Sequence, residues 1–208
     1  MHQEAITSKA KIVLEGLNKF SDFYLAGGTG LALQLGHRIS VDFDLFWEKD
    51  IPKEALPKVR RVFKGQQIEV VVNHSEQLTV AVEGVMISFV KYSFPVFSKF
   101  IDYQGIKILS PLGIAAMKAF ALGGRATLKD YVDLYFILKG KFSTLEEIIA
   151  LCEKKFGNEF NRRLFLEQLV YSKDIKDIEE TEIQFLKQKV KKSEIEKLFE
   201  KEIEKLKI

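Results

Sequence analysis

The first half of the chain carries the hydrophobic patterns of short strands mixed with a few helices. Apolar residues recur at helical spacing over residues 6–20, and a short apolar run over 23–26 then meets two glycines. Apolar and acidic residues alternate strictly over 41–45, which predicts a strand. Further runs predict an amphipathic helix within 52–63 and an antiparallel meander of strands over 68–72, 78–82 and 85–92.

Beyond residue 110 the pattern changes to that of helices. Ser110 followed by Pro111 is typical of a helix start, because serine caps free N–H groups and proline fits the first turn. Further helix starts are predicted at Thr127, at the pair Ser143 and Glu146, and at the pair Ser193 and Glu196. We therefore predict an α+β fold, with a mixed sheet and flanking helices over residues 1–105 and a helical region over 106–208.

Composition indicates a globular protein but does not identify a binding partner. Of the 208 residues, 47% are hydrophobic, which is enough for a globular core. The net charge of +3 is too small to indicate nucleic acid by itself. A single cysteine, Cys152, cannot form an internal disulfide. The chain shows neither a signal peptide nor an apolar run of ~20 residues, so we expect a cytoplasmic protein that does not enter a membrane.

Two carboxylates are the first candidates for chemistry. Asp42 and Asp44 stand two apart on the predicted strand, so both project from one face about 6.5–7 Å apart. Val41, Phe43 and Leu45 then face the opposite, buried side. Paired carboxylates on a rigid face suit Mg²⁺, which takes oxygen ligands at ~2.0–2.1 Å. The alternative interpretation is a solvated face of an edge strand.

A glycine-rich turn precedes these carboxylates. Gly27, Gly28 and Thr29 form a tight turn that ends one predicted strand and leads into a brief helix predicted over 31–35, which Gly36 ends. Glycines allow backbone amides to approach a phosphate closely, and a helix N-terminus favours an anion. Taken alone, such a segment is more often an ordinary turn than a phosphate site.

Together these residues resemble a known family. Gly28-Thr29, twelve intervening residues and Asp42-Phe43-Asp44 are similar to the signature of the polymerase-β-type nucleotidyltransferases. The longer strings LAGGTGLAL at 25–33 and HRISVDFDLF at 37–46 resemble the AbiEii/AbiGii-type toxin nucleotidyltransferases. The match continues at Lys118, Arg125, Lys129, Asp130 and Asp133, and it covers about residues 20–138.

The resemblance implies transfer of a nucleoside monophosphate from a nucleoside triphosphate to an acceptor hydroxyl. It implies that Asp42 and Asp44 bind the metal. It also implies that Lys118 interacts with the negative charge of the phosphates and that Asp133 completes the catalytic site. In related toxins the acceptor can be the 3′ end of tRNA, and the partner gene encodes an antitoxin. The resemblance assigns the triphosphate to Gly27, Gly28 and Thr29. Arg38 and Ser40 are further candidates for nucleotide binding: the planar fork of Arg38 suits a phosphate, and the alternative for Arg38 is a pair with an acidic side chain.

The helical region supports this assignment only in part. Lys118 and Asp133 each stand among apolar residues on two successive predicted helices, so their charges are expected to converge. They form either part of the active site or a structural ion pair. Arg125 and Lys129 lie beside Asp133 and are candidates for holding the phosphate backbone of an RNA acceptor.

One feature departs from the polymerase-β pattern. Many such enzymes carry a third carboxylate on a later strand, but the candidate strand over 85–90 contains no acid. Either the metal is held by two carboxylates and more water, or Glu69 or Glu83 substitutes. Two other functions therefore stay open: transfer to a small molecule or protein, and nucleotide binding without catalysis.

Overall fold

The computed structural model describes residues 1–124, 127–171 and 183–206. The chain divides into two compact units. The sheet unit comprises Met1–Pro95 and Lys99–Leu109, and the helical unit comprises Val96–Ser98 and Ser110–Ile208. The sequence placed the boundary after residue 105, whereas the units divide after Leu109, because 106–109 form a strand of the sheet.

The sheet unit is built on seven strands in the order β3-β4-β5-β2-β1-β7-β6. β2 pairs with β1 in antiparallel and with β5 in parallel orientation, and β1 runs parallel to β7. The sheet is therefore mixed, which confirms the predicted α+β fold. The strands are β1 (Tyr24–Ala26), β2 (Phe43–Trp47), β3 (Ile68–His74), β4 (Gln77–Val82), β5 (Val85–Lys91), β6 (Phe100–Tyr103) and β7 (Ile106–Leu109).

Three helices belong to the sheet unit: α1 (Ser8–Leu17), α2 (Gly27–Leu35) and α3 (Ala55–Val62). The buried faces of α1 and α3 join one core with Phe43 and Leu45 of β2 and with alternate residues of β4 and β5. Since side chains alternate along a strand, Asp44 points to the sheet face opposite this core. The core thus fixes which face of the sheet carries the candidate carboxylate.

The segment around β2 differs from its prediction by two residues. Asp42 precedes the strand, and Val41, which was expected to be buried, is 42% exposed. The cause is the pairing of β1, whose last residue Ala26 lies opposite Asp44. The chain then turns into α2 at Gly27, so β1 offers residues 41 and 42 no partner. The same turn starts α2 four residues before the predicted helix over 31–35.

The helical unit contains α4 (Pro111–Leu122), α5 (Leu128–Lys139), α6 (Leu145–Phe156), α7 (Arg162–Val170) and α8 (Lys192–Glu204). Ser110 caps α4 as predicted, accepting from the N–H of Gly113 at 3.4 Å. Within the part of the chain that the structure describes, every helix lacks the length and apolar character of a membrane-spanning segment.

Two predicted capping boxes are displaced. The box of α6 is made by Thr144 and Glu147, not by Ser143 and Glu146, because the Glu147 carboxylate accepts from the N–H of Thr144 at 2.8 Å. In the same way α8 begins at Lys192, and Glu194 accepts from the N–H of Lys191 at 2.9 Å.

Candidate functional site

Asp44 lies in the centre of the sheet, on β2. Its partners in register are Ala26 of β1 and Ser88 of β5, and its side chain is half-buried. Asp42 is exposed on the loop that enters the strand. Both residues therefore stand where β1 ends and α2 begins, with Asp44 held by the sheet and Asp42 by the loop.

Gly27 brings the first turn of α2 directly against Asp44. Its φ of +64° lies in the left-handed region, which favours glycine. A Cβ atom at this position would lie 2.6 Å from Oδ2 of Asp44. The carboxylate and the helix N-terminus can be this close only because residue 27 has no side chain.

Gly28 makes similar room for Arg38. A Cβ atom on Gly28 would overlap Nη2 of Arg38 and would lie 3.3 Å from Oγ of Ser40. Arg38 is only 3% exposed, and its Nη1 donates to the carbonyl of Ile39 at 3.2 Å. The N-cap of α2 is Ala26, which offers no capping side chain to the free N–H groups of the first turn. Arg38, Ser40 and these N–H groups together form an electropositive helix start.

Thr29 ties the helix to the loop of the first carboxylate. Its hydroxyl donates to the backbone carbonyl of Asp42 and shares a hydrogen bond of 2.8 Å with the hydroxyl of Ser40. Thr29 is only 1% exposed. The direct effect of its side chain in this structure is therefore to position Asp42, while its backbone N–H belongs to the first turn of α2.

Hydroxyl groups occupy the region where a third carboxylate was sought. Ser88 lies beside Asp44, Thr79 lies beside Ser88, and their hydroxyls are 3.3 Å apart. Glu69 is on β3, three strands from β2, or about 14 Å away at ordinary strand spacing. Glu83 lies in the turn before β5, and its carboxylate accepts from the N–H of Gln67 at 2.8 Å. Neither glutamate can substitute for the missing ligand.

The helical unit contains a buried charge cluster of one lysine and two aspartates. Nζ of Lys118 lies 2.7 Å from Oδ1 of Asp130 and 2.7 Å from Oδ2 of Asp133. The side chain of Asp133 is 0% exposed and that of Lys118 is 9% exposed. Burial opposes the charge on Lys118, but the carboxylates of Asp133 and Asp130 outweigh it, so the pKa of Lys118 is raised. Lysine stays charged in this cluster at neutral pH.

Asp130 is the member of this cluster that sequence reasoning did not place in the site. It stands three residues before Asp133 on α5, and this spacing puts both carboxylates on one helix face. The hydroxyl of Thr127 donates to the second oxygen of Asp130 at 2.6 Å. Lys129 is exposed in the first turn of α5, whereas Arg125 lies outside the described residues.

The oxygen-rich pair Asp42 and Asp44 matches the chemistry of a hard divalent cation. Among the described residues, no group of three or more histidine, cysteine, aspartate or glutamate side chains is arranged to hold a metal ion. The protein ligands available at the sheet are thus two carboxylates, with hydroxyls beside them.

A family model agrees with these features along almost the whole chain. The model described as "Nucleotidyl transferase AbiEii toxin, Type IV TA system" matches residues 13–207. The chain belongs to the AbiEii nucleotidyltransferase toxin family. It is therefore a nucleotidyltransferase, as the two aspartates and the glycine turn predicted. A protein of Aquifex aeolicus (strain VF5) is 34% identical over 181 residues, which is 82% of this chain and 87% of that protein.

Solved structures show the same fold at low sequence identity. The nucleotidyltransferase toxin MenT4 of Mycobacterium tuberculosis H37Rv superposes with a TM-score of 0.58 at 16% identity, covering 94% of this chain and 84% of MenT4. A candidate nucleotidyltransferase from H. pylori gives a TM-score of 0.59 at 16% identity, covering 95% of this chain and 94% of that protein. The α+β assignment is thus confirmed.

Proposed function

We propose that this AbiEii-family protein transfers a nucleoside monophosphate from a nucleoside triphosphate to an RNA acceptor, the 3′ end of tRNA, in a magnesium-dependent reaction. The observation that carries the proposal is the contact between Asp44 and the first turn of α2 at Gly27. It places a cation ligand next to a group of free backbone N–H donors, which is the arrangement that a metal-bound triphosphate needs.

Different residues of the sheet unit are proposed to bind the metal ion and the phosphates of this substrate. Asp42 and Asp44 would hold Mg²⁺, which supplies charge neutralisation on the phosphate oxygens when bound. The backbone N–H groups of Gly27, Gly28 and Thr29 would bind the same phosphates, and the hydroxyl of Thr29 holds the backbone of Asp42. Arg38 and Ser40 supply a planar cationic fork and a hydroxyl beside Gly28.

The Lys118 cluster is proposed to take part in the reaction. A lysine balanced by two carboxylates keeps its charge while buried, and its orientation is fixed by two short ion pairs. Such a preorganised charge can stabilise developing negative charge on a phosphate without reorganisation. We assign this role to Lys118 and assign completion of the catalytic site to Asp133, with Asp130 as the residue that holds Lys118.

The acceptor and partners follow from the family and from exposed charge. Lys129 is exposed at the start of α5, and with Arg125 it is proposed to contact the acceptor's phosphate backbone. A cognate antitoxin is expected from the toxin–antitoxin family to which the chain belongs. Binding of nucleotide without turnover is the second candidate, and the hydroxyl of Ser88 in place of a third carboxylate favours it.

One experiment separates these functions. The protein is incubated with each of the four triphosphates and Mg²⁺, either with bulk RNA or with a cell extract cleared of RNA. Triphosphate binding is measured, and labelled RNA, protein and small molecules are identified by mass spectrometry. We expect one nucleotide to be added to tRNA 3′ ends, and we expect the Asp44→Asn variant to add none. Triphosphate binding without any labelled RNA, protein or small molecule would refute catalysis. Labelling of a protein or small molecule alone would refute the RNA acceptor.

A further inference from the structure

Basic residues are concentrated on one helix of the sheet unit. Residues 53–64, which include α3, contain five basic side chains and one acidic side chain. That segment carries a net charge of +4, although the whole chain carries only +3. The remaining residues are therefore slightly acidic in sum. Charge is segregated to α3, and this is the electrostatic pattern of a surface that meets a polyanion.

A cavity opens between α1 and α3 at this charged segment. Its volume is about 590 Å³. Its floor is formed where Gly16 of α1 approaches Phe63, since a Cβ atom on Gly16 would lie 2.6 Å from the Phe63 ring. The cavity is lined by four cationic side chains, those of Lys19, Lys58, Arg61 and Lys64. Its acidic lining residue is Glu15. We call it the α1–α3 basic cavity.

The four cations of this cavity form no ion pair within residues 1–124, 127–171 and 183–206. Lys58 instead lies over the ring of Phe20, with Nζ 5.2 Å from the ring centre. Lys91, by contrast, is 2.7 Å from Asp50. Four positive charges against the single negative charge of Glu15 leave net repulsion in the cavity, and an anionic ligand would reduce it.

We propose that the α1–α3 basic cavity binds the phosphate backbone of the acceptor RNA. This inference rests on the proposed RNA acceptor, but it assigns that RNA a second surface. α1 and α3 cover the sheet face opposite Asp44. A contact there adds affinity through charge and leaves the metal ligands untouched.

The charge of the cavity lining favours a phosphate backbone. Phe63 in the floor is only 4% exposed, whereas Ile12 is exposed at the edge of the cavity. Cations outnumber this exposed apolar side chain, so the ligand is expected to bind mainly through its charge. Arg61 and Lys64 are exposed on the rim, and their groups suit phosphate oxygens.

The test is a charge reversal that leaves the catalytic residues unchanged. The double variant Arg61→Glu/Lys64→Glu is compared with the control Lys197→Glu/Lys201→Glu, which makes the same change in net charge on α8. Affinities for bulk tRNA and for polyglutamate are measured by fluorescence anisotropy over a range of salt concentrations, together with triphosphate affinity and melting temperature. Both pairs are exposed, so both variants should fold.

We expect tRNA affinity of the cavity variant to fall about tenfold or more at ~0.1 M salt, with a salt slope smaller by about 1.5, while triphosphate affinity is unchanged. The control should change less than about twofold. Equal tRNA affinity in the two variants would overturn the inference. So would loss of polyglutamate binding with tRNA binding intact, since that would identify an acidic protein segment as the ligand. If wild-type protein labels no RNA but the cavity variant still loses tRNA binding, the proposed acceptor fails and the cavity assignment stands.

Discussion

The hydroxyl of Thr29 donates to the backbone carbonyl of Asp42, and this bond joins the glycine-rich start of α2 to the loop of the first carboxylate. The Thr29 side of this bond is buried, and the hydroxyl of Ser40 forms a second hydrogen bond with Thr29. The position of one candidate metal ligand therefore depends on a side chain that solvent hardly reaches.

Thr29→Val tests this dependence, because valine keeps the shape of threonine and removes only the hydroxyl. We expect kcat to fall by about 10–100-fold, since a small displacement of a catalytic group is costly. The KM for triphosphate should change little, and Thr29→Ser should restore most of the activity. Steady-state kinetics of all three proteins give the result. A raised KM with unchanged kcat would show instead that the hydroxyl binds phosphate.

The two aspartates are expected to be essential for turnover and dispensable for folding. Asp42→Asn and Asp44→Asn each remove a charged cation ligand, so nucleotidyl transfer should drop below detection. Thermal unfolding should shift upward with added Mg²⁺ in the wild type and not in the variants, because a ligand that binds the native state stabilises it. Asp22→Asn, an exposed aspartate outside the site, is the matched control. Near-normal activity in both variants would eliminate the two-carboxylate mechanism.

Gly27 offers a test in which backbone strain and local contact can be separated. Gly27→Ala introduces a Cβ atom against Asp44 and also strains a positive φ. Gly84→Ala strains a φ of +82° with no atom within 4 Å of the new Cβ. We expect both to lose about 1–2 kcal/mol of stability from strain, and only Gly27→Ala to lose activity by orders of magnitude. Similar activity in the two variants would show that the contact with Asp44 is unimportant.

The fold was predictable where patterns were local. Alternation along β2, β4 and β5 and the proline after Ser110 identified most of the elements correctly. The start of α2 was missed because glycines have low helix propensity. Glycine is nevertheless required at position 27, because a side chain there would collide with Asp44. The capping box at Thr144 was missed by one residue, since Ser143 and Glu146 satisfy the same pattern.

The candidate site was predictable in its residue types but not in its contacts. The spacing between Thr29 and Asp42 pointed to both residues, yet the bond between them depends on how the loop folds. Ser88 could be found only from the register of β2 with β5, which links residues that are distant in sequence. Asp130 had a local signal, its three-residue spacing from Asp133.

The Lys118 cluster is expected to affect both catalysis and stability, so its test needs a change that separates them. Lys118→Ala leaves two carboxylates facing each other in a buried site and should cost about 3–5 kcal/mol of stability. Asp130→Asn keeps the shape and one ion pair, and Thr127 can still donate to the amide oxygen. We expect this variant to fold and to lose activity by about tenfold, and we expect Asp133→Asn to lose about 10²–10³-fold.

The pH dependence of unfolding gives a second view of the cluster. The pKa of Lys118 is raised in the folded state, so its stabilising charge is fully present below its ordinary pKa of 10.5 and is lost only as pH rises above that value. Urea unfolding of wild type and Asp133→Asn should therefore differ by a constant amount from pH 6 to 9. Loss of stability without loss of activity in the Asp133 variant would identify a purely structural ion pair.

Lys129 tests the acceptor part of the proposed function. It is exposed in the first turn of α5, next to Asp130, whose oxygens are already engaged by Lys118 and Thr127. Its ammonium group is therefore available to a phosphate of the RNA. Lys129→Glu, alone or with Arg125→Glu, should impair RNA labelling by about tenfold or more at low salt and spare triphosphate affinity, with the defect shrinking as salt rises, because the variant makes fewer phosphate contacts for salt to weaken. Lys129→Arg keeps the charge and should retain most of the labelling. Lys192→Glu, at the first residue of α8, controls for the change in net charge. Equal loss of RNA labelling and triphosphate affinity would assign Lys129 to nucleotide binding instead. Unchanged labelling would remove it from the acceptor surface.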